Sequence, residues 1–371
     1  MINPTMISNT PAFVLEYALL QENLQKIKEL QERLPVSFLF ALKGFAMHAV
    51  FDEIASCAVG ATASSLNELL LAAPYFGQVH AYAPVYSERE FPAIANIAKH
   101  ITFNSLAQFE KHKDQLRGVE MSIRINPLYA TVQTELYNPC SVGSRLGVLP
   151  HQLMSLPAGI VGLHCHNLCE SSAEDTVNTL QSIQKHWAHL LPDIKYLNLG
   201  GGHLVTRKGY DTELFSKGIL DFHHRFPHIA LFLEPGAAFV WETGYLVTEI
   251  LDIVKNGPIT TLMLDTSFAA HMPDCLEMPY SPQVVGARLV EEGGYRLGGC
   301  SCLAGDWVGS YLFDHEVKVK DRLIIKDMMH YTMVKTTMFN GIALPDIGIV
   351  KDDIYRVVKS FGFDDYQRRL S

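Results

Sequence analysis

Eight short apolar runs recur along residues 36–234, and a stretch with helical spacing separates most of them from the next. The runs are VSFLFALK at 36–43, AVGATA at 58–63, VHAYA at 79–83, HITFN at 100–104, MSIRIN at 121–126, IVGLHCH at 160–166, KYLNLG at 195–200 and IALFLE at 229–234. Strands that alternate with helices predict a parallel sheet, and eight of them predict a (β/α)8 barrel. A doubly wound sheet would place a glycine-rich turn after the first strand, where this chain has Lys43, so the barrel is preferred.

A second pattern begins near residue 243, where strand-like runs follow one another without helical spacers. These runs are 245–254, 259–264, 284–290, 322–326 and 331–334. They predict a β-rich second domain, which the strand-like residues 12–19 could join. We therefore expect a barrel over residues 25–245 and a β-rich domain made of residues 1–24 and 246–371.

Lys43 ends the first apolar run and is the strongest chemical candidate. A lysine is rarely buried in a strand without a partner or a role. Desolvation lowers the pKa of a lysine, and the free amine can then bond to an aldehyde cofactor. On its own strand, Lys43 is better explained as a side chain that extends to water. Its neighbours at the other predicted strand ends reverse that preference, since they converge on one barrel mouth: Arg124, His166, Gly200 to Gly202, Glu234, Pro235 and Gly236.

The composition narrows the classes of partner. Hydrophobic residues make up 48% and charged residues 19% of the 371, an ordinary balance for a globular protein. The net charge of -9 argues against nucleic acid and favours cationic ligands. No apolar run is long enough for a bilayer, and the N-terminus lacks a signal-peptide pattern, so we expect no membrane association and a cytoplasmic location.

The seven cysteines are odd in number and scattered, which argues against a disulfide framework. His164, Cys165, His166 and Cys169 could be read as a metal cluster. However, the pair at 300 and 302 is too tightly spaced for the usual second pair of zinc ligands, so no metal is predicted.

Two further motifs suggest the cofactor. Gly200-Gly201-Gly202 follows an apolar strand and would let a phosphate approach the backbone. Glu234 ends the next strand, where a carboxylate beside a phosphate is unfavourable unless it holds a cation. A protonated pyridine nitrogen is such a cation, so Lys43, the glycines and Glu234 together predict a pyridoxal phosphate site.

The chain resembles the fold type III pyridoxal phosphate decarboxylases, the group of ornithine, diaminopimelate and plant-type arginine decarboxylases, and within it the carboxynorspermidine decarboxylase branch. The resemblance covers nearly the whole chain, and its motifs are specific only as a set. The motifs are ALKGF at 41–45, GLHCHNLCE at 162–170, NLGGG at 198–202, EPGAAFVWETGY at 234–245, LDTSFAAHMPDCLEMPY at 264–280, GGCSCLAGD at 298–306 and HYTMVKTTMFNG at 330–341.

The resemblance implies a role for each matched residue. Lys43 would hold the aldehyde, His166 would stack on the ring, Arg124 would lie near its edge, and Glu234 would pair with its nitrogen. The phosphate would be held by Gly200, Gly201, Gly202, Gly236 and Tyr331. Cys302 would be the general acid, supplied across the interface of a homodimer with shared active sites, while Cys300 is interpreted as a small buried structural residue.

Two departures from the group bear on the substrate. Its usual EPGR reads EPGA here, so Ala237 offers no side chain to the phosphate or to a distal carboxylate, and Cys169 replaces a serine. Acidic residues instead occupy the matched substrate segments: Glu242, Asp274 and Asp306, with Glu277 interpreted as a surface acid. Carboxylates can bind ammonium groups through charge-assisted hydrogen bonds, so the expected substrate is a carboxylated polyamine.

Three alternatives remain open. The first is a decarboxylase of another basic amino acid such as diaminopimelate, against which the missing arginine argues. The second is an alanine racemase-like enzyme, which would need a tyrosine base and would leave the acidic residues unexplained. The third is a cofactor-binding protein without activity, although proteins of that kind lack a second domain.

Overall fold

The computed structural model describes residues 1–132 and 138–371. These residues form two compact units, one made of Asn23–Phe239 and the other of Met1–Glu22 with Val240–Ser371. Each unit is built around its own sheet. No helix in the described ranges is long and apolar enough to cross a membrane.

The elements are numbered along the chain. The strands are β1 (Ala12–Glu16), β2 (Val36–Ala41), β3 (Gly60–Ala63), β4 (Val79–Tyr82), β5 (His100–Phe103), β6 (Glu120–Arg124), β7 (Ile160–His164), β8 (Tyr196–Asn198), β9 (Ala230–Leu233), β10 (Gly244–Asn256), β11 (Ile259–Leu264), β12 (Ala287–Leu289), β13 (Tyr295–Gly298), β14 (Trp307–Phe313), β15 (Arg322–Lys326), β16 (Asp346–Lys351) and β17 (Ile354–Lys359). The helices are α1 (Tyr17–Arg33), α2 (Phe51–Ala55), α3 (Leu66–Ala72), α4 (Phe91–Ile97), α5 (Leu106–His112), α6 (Ala173–His186), α7 (Thr212–Arg225), α8 (Ala237–Val240), α9 (Phe268–His271), α10 (Asp274–Glu277), α11 (Thr332–Lys335) and α12 (Phe363–Leu370). Short 3-10 helices lie at Pro4–Met6, His48–Val50, Lys113–Gln115, Pro150–Gln152, Leu191–Asp193 and Phe339–Gly341.

The first unit is a closed barrel of the parallel strands β2 to β9. The barrel closes where β2 pairs with β9, with Val36 opposite Leu231. Each of the eight predicted runs overlaps one of these strands, so the predicted (β/α)8 barrel is confirmed. Because the strands are parallel, the residues that follow them lie at one rim, where catalytic groups of such barrels are found.

The strand that precedes Lys43 is held firmly in the barrel core. Phe38, Leu39 and Phe40 of β2 have no exposed surface. The ring of Phe40 packs edge-on against Phe51 and Phe239, with centroids 5.6 and 5.3 Å apart. Fully burying one such side chain contributes about 1.5–3 kcal/mol, so β2 gives Lys43 a rigid base.

The second unit is a mixed sheet with strand order β12-β14-β13-β11-β10-β1-β16-β17, and β15 also pairs with β10. The N-terminal strand β1 lies inside this sheet. Ala12 pairs with Val247 of antiparallel β10 on one side and with Asp346 of parallel β16 on the other. The predicted β-rich domain, including the participation of the N-terminal strand, is therefore confirmed.

One predicted strand of the second unit is wrong. Residues 331–334 begin α11 instead of a strand, although their composition favours extended structure. Tyr331 has a φ of 55°, which takes the chain out of the extended region, and the hydroxyl of Thr332 donates to Asp274. A local turn and a side-chain hydrogen bond therefore override β propensity here.

Candidate active site

Lys43 lies at the C-terminal rim of the barrel, just beyond β2, and its amine contacts His166. Nζ of Lys43 lies 2.8 Å from Nε2 of His166. The side chain keeps exposed surface, but the atoms of the barrel rim remove part of its hydration. This desolvation lowers the pKa of Lys43, although the charge of Glu234 opposes the effect. The environment therefore favours the neutral, nucleophilic amine.

The ring of His166 is oriented from two sides. The N–H of Gly201 donates to its Nδ1 over 2.9 Å, and Arg124 donates to its backbone carbonyl over 2.8 Å. Arg124 also donates to the hydroxyl of Tyr82 over 2.6 Å. Burial lowers the pKa of His166 well below its ordinary value, so the ring is neutral. His166, Arg124 and Lys43 are thus brought together, with Arg124 positioning the histidine.

Glu234 follows β9 and is a buried, fixed negative charge. Asn198 donates to Oε1 over 2.7 Å, and Nε2 of His164 donates to Oε2 over 3.2 Å. Burial by itself would raise the pKa of Glu234, but the contact with His164 and these hydrogen bonds outweigh burial and lower it. The ionised carboxylate can therefore hold a cation such as a protonated pyridine nitrogen.

His164 and Asn198 were not predicted as site residues. The sequence contained a signal for His164, since it lies at the end of a predicted barrel strand, where functional side chains gather. Asn198 ends β8 and carried the same strand-end signal, although nothing in the sequence indicated its contact with Glu234, 36 positions along the chain.

The three glycines do not serve one purpose. The N–H groups of Gly200 and Gly201 already donate to the side chains of Asn198 and His166. Gly200 and Gly202 have φ angles of 67° and 94°, and a Cβ at either would overlap a backbone carbonyl. Side chains are therefore excluded from this turn, because it packs closely against the backbone that follows β7.

Gly236 adds a second point of close backbone approach at the same rim. A Cβ on Gly236 would lie 2.8 Å from the carbonyl oxygen of Ala41. Because Gly236 has no Cβ, the chain after β9 can pack against the end of β2. An aldehyde-reactive amine, a side-chain-free turn and an ionised carboxylate at one rim match what pyridoxal phosphate requires, so the barrel residues fit this cofactor.

The segment that could be read as a metal cluster sends its side chains in different directions. His164 contacts Glu234, His166 contacts Lys43, Cys165 is buried and Cys169 is exposed. Within residues 1–132 and 138–371, no group of three His, Cys, Asp or Glu is arranged to hold a metal ion.

The remaining predicted residues lie in the second unit, where Asp274 has an unusual environment. Its Oδ2 accepts hydrogen bonds from Tyr280 over 2.8 Å and from Thr332 over 3.0 Å. Its Oδ1 is buried and has no hydrogen-bond partner in the part of the chain that the structure describes. An unpaired buried oxygen is unfavourable by about 1–3 kcal/mol, so this atom is suited to a cationic ligand.

Glu242 and Tyr331 both have positive φ angles, and they lie beside Asp327 and His330, which were not predicted as site residues. Glu242 and Tyr331 have φ angles of 54° and 55°. The N–H of Glu242 donates to Oδ1 of Asp327 over 2.8 Å, and Oδ2 of Asp327 lies 3.1 Å from Nε2 of His330. Non-glycine residues at positive φ cluster at functional sites, so Asp327 and His330 join the candidate residues.

Cys302 and Asp306 lie in the loop between β13 and β14. Cys302 is exposed, whereas Asp306 is buried. Cys300 is exposed as well, so the interpretation of Cys300 as a buried residue is wrong, because this part of the loop lies at the surface. Glu277 is exposed and pairs with Lys335 over 2.6 Å.

Comparison with known proteins agrees with this geometry. A family model described as pyridoxal-dependent decarboxylase, C-terminal sheet domain, matches residues 21–329. A carboxyaminopropylagmatine decarboxylase of Synechocystis sp. is 50% identical over 99% of this chain and 97% of its own. A carboxynorspermidine/carboxyspermidine decarboxylase of Campylobacter jejuni is 36% identical over 97% of this chain and 98% of its own.

A solved structure is similar over the same extent. The carboxynorspermidine decarboxylase of Campylobacter jejuni, complexed with norspermidine, matches with a TM-score of 0.90 at 34% identity, covering 97% of this chain and 100% of that one. The resemblance inferred from the motifs is thus confirmed. This chain belongs to the family of pyridoxal-dependent decarboxylases, which use pyridoxal phosphate as cofactor.

Proposed function

We propose that this enzyme decarboxylates a carboxylated polyamine, with carboxynorspermidine and carboxyspermidine as the first candidates and norspermidine and spermidine as the products. The observation that carries the proposal is the buried Oδ1 of Asp274, which has no hydrogen-bond partner among residues 1–132 and 138–371 and suits an ammonium group. The relatives named above act on compounds of this kind, which supports the same class of substrate.

We propose that the barrel rim binds the cofactor. Lys43 would bond to its aldehyde, His166 would stack on its ring, and Glu234 would keep the ring nitrogen protonated. Arg124 would keep His166 in place, and the glycines at 200–202 and 236, with Tyr331, would hold the phosphate. When bound, pyridoxal phosphate supplies a conjugated ring that takes up the electron pair released as carbon dioxide leaves.

Cys302 is the proposed proton donor to the carbon that has lost the carboxylate. In the proposed homodimer each active site is shared, with Lys43 from one chain and Cys302 from the other. Mixing Lys43→Ala with Cys302→Ala protein tests this directly. If subunits exchange freely, about half of the dimers are mixed and each contains one intact site, so activity should recover to about a quarter. No recovery after verified exchange would exclude a shared site.

Glu242, Asp274 and Asp306 are the acids that the resemblance assigns to the substrate. Of these, Asp274 has the clearest capacity to bind an ammonium, because one of its oxygens is buried and finds no partner within the described part of the chain. Glu242 is exposed, and its backbone is fixed by Asp327.

The cytoplasmic location expected from the N-terminal sequence stays a prediction.

Carboxyaminopropylagmatine is the second candidate substrate, supported by the relative that is 50% identical over 99% of this chain. Its distal end is a planar guanidinium instead of an ammonium, and guanidinium groups favour two parallel contacts with one carboxylate. Oδ2 of Asp274 is already used by Tyr280 and Thr332, so this carboxylate offers a single contact. Diaminopimelate is a weaker alternative, because Ala237 offers no charge to a second carboxylate.

A carbon dioxide release assay tests the proposal. The panel contains carboxynorspermidine, carboxyspermidine, carboxyaminopropylagmatine, ornithine, lysine and diaminopimelate, each compared by kcat/KM. We expect kcat/KM to be higher for the carboxylated polyamines than for the amino acids. The ranking among the carboxylated polyamines then shows whether the enzyme prefers an ammonium or a guanidinium at the end of the substrate distant from the reacting carbon. Equal turnover of diaminopimelate would contradict the cation-binding role of Asp274.

A further inference from the structure

We propose that Asp306 is a positioning residue and not a substrate ligand. Its carboxylate fixes the loop of residues 299–306, which carries Cys302, against helix α9. The proposal rests on the proposed function, because a fixed loop matters only if Cys302 must deliver its proton to one particular carbon atom.

Both oxygens of Asp306 are occupied within the protein. Oδ1 accepts the N–H of Ala269 over 2.9 Å, and Oδ2 accepts the N–H of Ser301 over 3.0 Å. Ala269 lies in the first turn of α9, whose N–H groups have no partner inside the helix. Ser301 immediately precedes Cys302. One carboxylate thus joins the helix to the residue next to the proposed proton donor.

The surroundings of Asp306 leave little room for a ligand. The residue is 4% exposed. Gly299 packs so closely that a Cβ added there would overlap the carboxylate of Asp306. The N–H of Gly299 also donates to the carbonyl of Asp306 over 2.7 Å, which closes the loop at its base. A substrate ammonium would have to displace these contacts to reach the carboxylate.

The same loop is held at two more points. The N–H of Cys302 donates to Oδ1 of Asn340 over 2.7 Å, and the N–H of Cys300 donates to the carbonyl of Thr266 over 2.9 Å. Cys302 is therefore held by its own N–H and, through Ser301, by Asp306. Because α9 is followed directly by α10, which begins at Asp274, Asp306 also links the thiol loop to the segment that carries the proposed ammonium ligand.

The test compares the Asp306→Asn holoenzyme with the unmodified one, and Asp314→Asn is the control because Asp314 is an exposed acid of the same unit. Asparagine keeps the shape but presents an amide to one of the two N–H groups. The rate at which iodoacetamide alkylates Cys302 is followed by peptide mass spectrometry, with Cys169 of the barrel as internal reference. We expect alkylation of Cys302 to become faster relative to Cys169, a kcat lowered roughly tenfold and an almost unchanged KM. The absorption of the bound cofactor should not change.

The opposite pattern would overturn the proposal. A raised KM with unchanged kcat and unchanged alkylation would make Asp306 a substrate ligand. A second measurement needs no variant: the amide hydrogens of Ala269 and Ser301 should exchange slowly, and norspermidine should leave their exchange unchanged. A change at Ser301 on adding norspermidine would contradict the proposal. If Cys302→Ala retains kcat while Asp306→Asn still speeds alkylation, the proton-donor role fails and the positioning role stands.

Discussion

Nε2 of His166 lies 2.8 Å from Nζ of Lys43, and Nδ1 of the same ring accepts the N–H of Gly201. A neutral imidazole carries one proton, so acceptance at Nδ1 places that proton on Nε2. Nε2–H can donate to Lys43 only when the lysine is an uncharged amine. This conclusion agrees with the burial that lowers the pKa of Lys43. The barrel rim therefore prepares the amine for an aldehyde before any ligand arrives.

Replacing His166 by phenylalanine should raise the pKa of Lys43, because the ring face remains but the donor to the neutral amine is lost. The measurement is the pH dependence of the rate at which cofactor-free protein develops the absorption band of bound pyridoxal phosphate. We expect the rate profile to move to higher pH. Lys43→Ala is the control, since it should show no band and no product after borohydride reduction. An identical profile for His166→Phe would mean that the histidine does not control this amine.

Glu234→Gln should lower kcat/KM by roughly tenfold to a few hundredfold, the range expected when a buried ionic hydrogen bond is lost. The neutral amide would no longer favour a protonated ring nitrogen. Glu120→Gln is a matched control, because Glu120 begins β6 at the opposite end of the barrel and is partly exposed. Steady-state kinetics at saturating cofactor separate this effect from weak binding. Equal losses in the two variants would remove the specific role of Glu234.

The parts of the fold that followed from the sequence are those with strong local patterns. The barrel strands are short and buried, so their apolar runs stand out between helices, as β2 illustrates. The strands β13, β14, β16 and β17 were not predicted, because a glycine or an arginine interrupts the apolar residues of each. The predicted strand at residues 331–334 failed for another reason, since the backbone of Tyr331 adopts a conformation that composition does not reveal.

The candidate site divides in the same way. Lys43, His166 and Glu234 could be predicted, because the ends of parallel strands meet at one rim. The bond between Asp327 and Glu242 joins residues 85 positions apart, and neither residue ends a barrel strand. Such contacts depend on the packing of the second unit, which no periodic pattern encodes. The burial of Asp306, and with it the inference of a positioning role, became visible only in the structure.

Buried neutral histidines should make the protein less stable as the pH falls from 7 to 5. Burial lowers the pKa of His80 to about 3 and the pKa values of His203 and His271 to about 4. In the unfolded chain these groups have pKa values near 6.5. Below that pH the unfolded state therefore binds more protons than the folded state, and this difference favours unfolding. At pH 5 each histidine should lower the free energy of unfolding by about 2 kcal/mol.

Urea denaturation at pH 7 and pH 5 measures this effect, and His80→Phe is the informative variant. The phenyl ring can replace the imidazole that stacks on His100, with centroids 3.9 Å apart, but it cannot take up a proton. We expect the difference in unfolding free energy between the two pH values to shrink by about 2 kcal/mol in the variant. An unchanged difference would show that His80 does not contribute to the pH dependence.

Asp274→Asn should weaken the use of a carboxylated polyamine without disturbing the cofactor. In the unmodified protein Oδ2 is satisfied by Tyr280 and Thr332, while the buried Oδ1 lacks a partner among the described residues. A substrate ammonium would supply that partner, and a hydrogen bond to a charged group is worth roughly 1.5–3 kcal/mol. We therefore expect kcat/KM for carboxynorspermidine to fall by roughly tenfold to a few hundredfold.

Glu277→Gln is the matched control for Asp274→Asn, because Glu277 lies on the same short helix but is exposed and paired with Lys335. It should retain nearly full activity and the same cofactor spectrum. Lysine and ornithine, which lack the polyamine extension, should be poor substrates of the unmodified enzyme and should lose little further in Asp274→Asn. If both variants lose activity equally, or if Asp274→Asn affects lysine and carboxynorspermidine alike, Asp274 supports the fold of α10 and does not bind the distal cation.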